Sequence, residues 1–291
     1  MPIRRAAQPP LAACVALATL LALSGCGLAD RAGGAQGADA EPTPTTARSA
    51  QAPETSQTPA GGRSKQRTST VTLGDVVLEI VTLKAADVRA DEDGPGTRTV
   101  TLTLAPGRSA RLALASPGAL DVDTDGSITV LDGDGDPVAA IGPPAPPLGT
   151  EDDAPHIEVT DVDATHALVE VDPVQPVQGS KSPAPTDRAE LLPVTFVVGT
   201  QAIESATWGE NEGGRSLAVD PTDWARYAGQ AGLDLIRTQL VAAEPEADTS
   251  TMGDQLVCHA VGAPDKSTWN LEPWRPDVGL ILTATAQCNP V

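Results

Sequence analysis

Between positions 68 and 198 apolar and polar residues alternate, with Val, Ile, Thr and Leu enriched and turn residues frequent. A period of two belongs to strands with one buried face. It predicts strands at 70–73, 76–83, 98–104, 110–114, 127–131, 157–159, 167–171 and 193–198. Asp125-Gly126, Asp132-Gly133 and Asp134-Gly135 are hairpin signals, because both residue types tolerate the left-handed backbone of tight turns. Two Pro-rich stretches, 142–155 and 173–185, interrupt the pattern, and no helical period stands out in this region. The reading is an antiparallel β-domain over 68–200.

Beyond position 200 the periods mix. Residues 202–208 and 216–219 read as strands. A helix is then predicted from Asp220, with Asp220 as cap, Pro221 at the first helical position and Asp223 adding negative charge to the first turn. Trp224, Ala228, Ala231, Leu235, Ile236 and Leu240 give it an apolar face to about Ala243. Thr251 and Asp254 resemble a capping box before a short helix over 255–261, which Pro264 ends. Residues 280–285 read as a last strand. The expected fold is mainly β: the antiparallel domain, then a small disulfide-bonded α+β domain over 201–291.

The N-terminus follows different rules. Arg4 and Arg5 precede an apolar run from Leu11 to Leu23, which ends in Leu23-Ser24-Gly25-Cys26. The run is too short to span a bilayer, which needs about 20 apolar residues, and small residues before the cut mark a cleaved export signal. A cysteine just after them looks like a bacterial lipobox. That resemblance implies a signal peptide over 1–25, diacylglyceryl modification and palmitate-type acylation of Cys26, and a protein held by lipid on the outer face of the cell membrane. Two acyl chains anchor stably where one does not. Residues 26–67 carry the lipidated cysteine and then a stretch of Ala, Gly, Thr, Pro, Ser and Gln that cannot bury a core. As a disordered tether it spans about 35 Å on average.

Charge narrows the partners. The chain carries a formal −20, and cleavage removes Arg4 and Arg5 but no acid. Such a surface repels phosphate backbones, which excludes nucleic acid as a partner class. The membrane through the lipid anchor, cell-wall glycan and envelope proteins remain. Of four cysteines, Cys14 leaves with the signal and Cys26 takes lipid. Cys258 and Cys288 then form an even pair in an oxidising compartment, most simply a disulfide worth roughly 3.5 kcal/mol. A metal or thiol pair with His259 is the weaker pattern. The aromatics, Phe196, Trp208, Trp224, Tyr227, Trp269 and Trp274, all fall late in the chain.

From Met252 the sequence reads MGDQLVCHAVGAPDKSTWNLEPWRPDVG and closes with Cys288-Asn289-Pro290. This resembles a family of actinobacterial secreted proteins known only as domain of unknown function 2599. The resemblance implies an exported domain with one disulfide and lends no activity. Within it, Pro273 and Pro276 stiffen a loop carrying Trp269, Asn270, Glu272, Trp274, Arg275 and Asp277. Three readings stand: a small core with Glu272 and Arg275 paired, a binding face on which indoles stack against a sugar or peptide, and a hydrolase with His259 as base and Glu272 as orienter or acid. A further motif, Asp121, Asp123, Asp125, Gly126, Ser127 and Asp132, has the spacing of a calcium loop, although its flanks read as strands. The expected function is therefore that of a cell-envelope lipoprotein with a structural or binding role. A hydrolase or a weak calcium module is the alternative, and calcium is the only cofactor in view.

Overall fold

The alternation closes into two antiparallel sheets. The computed structural model describes residues 66–83, 87–145, 155–173 and 191–291. The signal segment, Cys26 and the tether up to residue 65 lie outside the described residues, as do the greater parts of the two Pro-rich stretches; Gln66 and Arg67, expected in the tether, instead open the first strand by pairing with Leu83 and Thr82. One sheet has the order β1 (Gln66–Leu73), β2 (Val76–Leu83), β5 (Arg108–Leu114), β10 (His166–Val171) and β9 (Ile157–Asp163). The other runs β3 (Asp87–Gly94), β4 (Thr97–Leu104), β11 (Leu192–Gly199), β8 (Pro137–Ile141), β7 (Ile128–Leu131) and β6 (Ala119–Val122).

Side-chain alternation fixes which faces meet. In β2, Val76, Leu78, Ile80 and Thr82 are buried while Glu79 is exposed. Val100, Leu102 and Leu104 of β4 do the same beside Val194, Phe196 and Val198 of β11. Residues of both sheets form one apolar cluster in which Phe196 is the single aromatic side chain. Each buried Leu, Ile or Val contributes about 1.5–3 kcal/mol relative to exposure.

Three strands of these two sheets are absent from the sequence reading. β3 is acidic along its length, β6 has four residues, and β8 is built from small residues after Pro137. Each pairs with a strand that the alternation does reveal, so sheet context supplies what local pattern lacks.

A smaller sheet follows, in the order β12 (Ile203–Asn211), β13 (Gly214–Pro221) and β14 (Trp269–Leu271). With it come α1 (Gly229–Ala243), α2 (Ser250–Gly262) and α3 (Leu280–Thr285). α1 packs on β7 and β8, so Ala140 of β8 belongs to the second core with Leu217, Val219, Leu235, Ile236 and Trp269. The described residues form one compact unit.

Helix boundaries differ from expectation in three places. α1 starts at Gly229, not near Asp220: β13 continues through Pro221, which pairs with Ile203, and a single 3₁₀ turn precedes the helix. Asp220 instead pairs with Arg226 at 2.7 Å, and the Trp224 indole lies against Gly199 and donates to the Gln201 carbonyl at 3.0 Å. α2 starts at Ser250 and is capped by Thr249, whose hydroxyl accepts from Met252 N–H at 3.2 Å, rather than by a Thr251–Asp254 box. Residues 280–285 form a helix, not a strand. Six residues cannot distinguish a period of two from 3.6, and Gln287 and Cys288 at φ 54° and 69° close the helix with Cys288 N–H donating to the Thr283 carbonyl.

Candidate functional site

The signature residues lie along the seam between α2 and β14. Gln255 is fully buried on α2. Its Nε2 donates to the Glu272 carbonyl at 3.0 Å and its Oε1 accepts from Glu272 N–H at 2.9 Å. One amide thus satisfies both backbone groups of a residue just past the end of a short strand, where no neighbouring strand is present to do so. One turn later His259 Nε2 lies 3.1 Å from the Asn270 carbonyl. A carbonyl only accepts, so the proton sits on Nε2. Nδ1 is then a lone-pair acceptor, buried and without a hydrogen-bond partner. Burial, with the nearby Lys266 charge second, holds the imidazole below its ordinary pKa, which keeps it neutral.

Glu272 and Arg275 are 1% and 3% exposed. Arg275 Nε pairs with Glu272 Oε2, its second arm with Glu212, and its third donates to the Pro290 carbonyl at 3.1 Å. Asn211 donates to the other Glu272 oxygen at 3.1 Å. The carboxylate is fully engaged by these groups, and among the described residues no hydrogen bond joins it to His259. The acid–base pair expected for hydrolysis is therefore two separate groups in this structure: the Glu272 carboxylate is engaged by Arg275 and Asn211, and His259 is held through Nε2 by the Asn270 carbonyl with Nδ1 unpartnered.

The expected pair of stacking indoles also separates. Trp269 is completely buried in the second core, with the Arg226 guanidinium 5.4 Å from its ring centroid. Trp274 is 46% exposed. Arg275 lies 4.6 Å from its centroid, and the ring rests on Gly214, where a Cβ would overlap the indole. Asn270 is half-buried and pairs with Ala218 across the ladder. Asp277 is exposed and accepts from the Ser250 hydroxyl. Of the six loop residues, Trp274 and Asp277 face solvent while Trp269, Glu272 and Arg275 are interior.

The calcium-like run forms the β6–β7 hairpin. Asp125 Oδ1 accepts from Ser127 N–H at 3.0 Å and from the Ser127 hydroxyl at 2.6 Å. Its Oδ2 accepts from Gln230 N–H at 2.8 Å, and Ser127 Oγ accepts from Ala231 N–H at 3.1 Å. Gln230 and Ala231 open α1, so the hairpin caps a helix more than a hundred residues away. Gly229, at φ 70°, has no Cβ because one would strike Asp125. Burial pushes the Asp125 carboxyl up, but these hydrogen bonds outweigh it and hold its pKa below the ordinary value. Asp123, which accepts from Ser127 and Thr129 hydroxyls, is raised by burial and by the Asp234 charge. Asp121 is exposed on β6. Asp132 belongs to the next turn, accepting from Asp134 and Asp136 N–H. Among the described residues no group of three or more His, Cys, Asp or Glu is placed to hold a metal ion. The capping role was hidden from sequence because the donor helix and the acceptor hairpin are remote along the chain.

Cys258 and Cys288 are joined as a disulfide, with Cα atoms 5.6 Å apart. It ties α2 to the chain following α3. Between these helices runs a groove of about 540 Å³, lined by Val257, Val261, Leu280 and Ala284, by the disulfide and by Lys266. The sequence reading contains no hint of this groove, because it placed 280–285 in a strand.

Comparison with known proteins bears on this region. Residues 203–291 match the family described as "Protein of unknown function (DUF2599)". The C-terminal region is a DUF2599 domain. Uncharacterized proteins of Mycobacterium bovis and of two strains of Mycobacterium tuberculosis are 39% identical to this chain over 95 residues, which is 30% of this chain and 62% of each relative. The chain thus spans less than two thirds of the length of these curated relatives. No solved structure matches it significantly. The DUF2599 domain contains α1, α2, α3, the disulfide and the Glu272–Arg275 pair, while the Asp125–Ser127 cap of α1 lies outside it.

Proposed function

We propose that this is a lipid-anchored protein of the cell envelope with a non-catalytic, partner- or ligand-binding role. Export and anchoring rest on Arg4, Arg5, the apolar run and Leu23-Ser24-Gly25-Cys26. The non-catalytic reading rests on one observation: the carboxylate that could do acid–base work is paired internally and, among the described residues, makes no hydrogen bond to His259. Glu272 is held by Arg275 and Asn211, and His259 by the Asn270 carbonyl. A buried, fully paired carboxylate stabilises structure more readily than it transfers protons. Trp274 is the exposed aromatic of the signature loop, pre-positioned by Gly214 and Arg275, and rigid aromatic rings bind at low entropic cost. Cell-wall glycan and envelope proteins are the partner classes that fit the location.

Two measurements test this. Cys26→Ser should abolish metabolic labelling by a palmitate analogue and release the protein from the membrane fraction; label persisting on that variant would refute the anchor. A photoreactive residue replacing Trp274 in intact cells should yield a discrete crosslinked species that the same residue replacing Glu79, exposed on β2, does not give. Turnover of an ester or glycan that is lost in His259→Gln would overturn the non-catalytic reading.

A further inference from the structure

The groove between α2 and α3 has the size of a ligand site and the wrong composition for a bare surface. About 540 Å³ lies within the range of small-molecule pockets. Its walls are mostly apolar, with His259, Gln287 and Asn289 as the uncharged polar members. Val261 on its wall is 80% exposed, and Ile281 and Leu282 on α3 are 82% and 58% exposed. Soluble surfaces rarely cluster such residues without a use. Among the groove's charged lining there is a single group, Lys266. It is the only lysine among the described residues of a chain with a formal charge of −20, and none of the described ion pairs includes it. An isolated cation beside an apolar trough, on an otherwise anionic molecule, complements a ligand that is apolar along its length and anionic at one end.

We propose that this groove binds a single long acyl chain ending in a carboxylate. The chain lies along Val257, Val261, Leu280 and Ala284 over the disulfide, and the carboxylate meets Lys266. Burial of each methylene contributes about 0.8 kcal/mol, so affinity comes from the tail. Lys266 selects the head, since a free anion is repelled by the rest of the surface. The site does not depend on Cys26 acylation or on Trp274, so it stands or falls separately from the function proposed above.

The test uses the full chain and three probes of equal tail length: hexadecanoic acid, hexadecanol and hexadecylamine, each below its aggregation concentration. The acid should bind saturably with 1:1 stoichiometry and at least tenfold more tightly than the alcohol or the amine. Lys266→Ala should remove the difference between acid and alcohol while leaving the alcohol unchanged. Ala284→Trp, at an exposed position that can accept the larger side chain, should abolish binding of all three, and Val261→Asp should weaken it. Thermal melts of each variant would establish that the fold is retained. Equal affinity for acid and alcohol in the parent chain, no saturable binding of any probe, or binding unaffected by Ala284→Trp would each overturn the assignment. So would sedimentation showing a dimer that Ile281→Asp dissociates, because a second copy would then cover the face.

Discussion

Arg275 shows how a residue that reads as a binding group becomes a structural one. Its guanidinium reaches Glu272, Glu212 and the Pro290 carbonyl, which joins the end of the chain to the β12–β13 turn through a single side chain. Removing it strands the Glu272 carboxylate, 1% exposed, with Asn211 as its remaining side-chain donor. Breaking a buried pair in this way costs about 3–5 kcal/mol. Arg275→Met should therefore lose stability of that order in urea denaturation. Arg275→Met combined with Glu272→Gln should recover a large part of it, because no uncompensated charge is left. If the single and double variants are equally unstable, the arginine acts through packing on Trp274 and not through charge. The sequence placed Glu272 and Arg275 within one turn of each other and left their pairing as one of three readings. What it could not contain was Glu212, Asn211 and Pro290, which arrive from other elements and decide that the pair is internal.

At the scale of elements, α1 has no cap of its own. Ala228 precedes it and offers no side-chain acceptor, and its first N–H groups are met by Asp125 and Ser127. Ser127→Ala should cost about 1 kcal/mol, the usual worth of an N-cap, measured as a fall in denaturant midpoint without change in slope. Asp234, on the same helix, faces the hairpin carboxylates. Burial first, opposed by Gln230 and Arg237 and reinforced by Asp121 and Asp125, raises its pKa above 3.8. A raised carboxyl binds protons in the native state that the unfolded chain has already released, so stability falls as pH rises through that window. The penalty is complete at neutral pH and absent below the ordinary pKa. Asp234→Asn should thus stabilise the protein at pH 7, by an amount that solvent screening at this half-exposed position keeps small, and give no gain at pH 3. A gain that is the same at both values would point to helix propensity rather than charge. The strands of the sandwich were legible because burial on one face imposes a period of two over many residues. The helix starts were not, since Asp220 and Pro221 look like a cap and first turn but are held in β13 by pairing with β12. Likewise 280–285 gave too few residues for its period to be read, and the groove it forms with α2 went unseen.

Across the whole molecule, α1 is the joint. One side packs on β7 and β8, its first turn is tied to the β6–β7 hairpin, and its buried side chains share a core with Trp269 and with Ala140 of β8. The region matching DUF2599 therefore ends, as a sequence unit, inside a physical contact. All four tryptophans lie in that region, so indole fluorescence follows the C-terminal core, whereas far-ultraviolet circular dichroism reports the sandwich strands together with the three helices. If the joint couples the two cores, both signals in the full chain should follow one transition with the same midpoint. A fragment spanning 200–291 retains the disulfide and the Glu272–Arg275 pair but loses the cap and the sheet surface under α1. A lost cap and exposed apolar area together amount to a few kcal/mol, which at this length lowers the melting temperature by about 10 °C or more. The fragment contains neither Asp125 nor Ser127, so capping variants are made and read only in the full chain. Separate midpoints for the two signals, or a fragment as stable as the intact protein, would mean that the hairpin and α1 touch without stabilising one another.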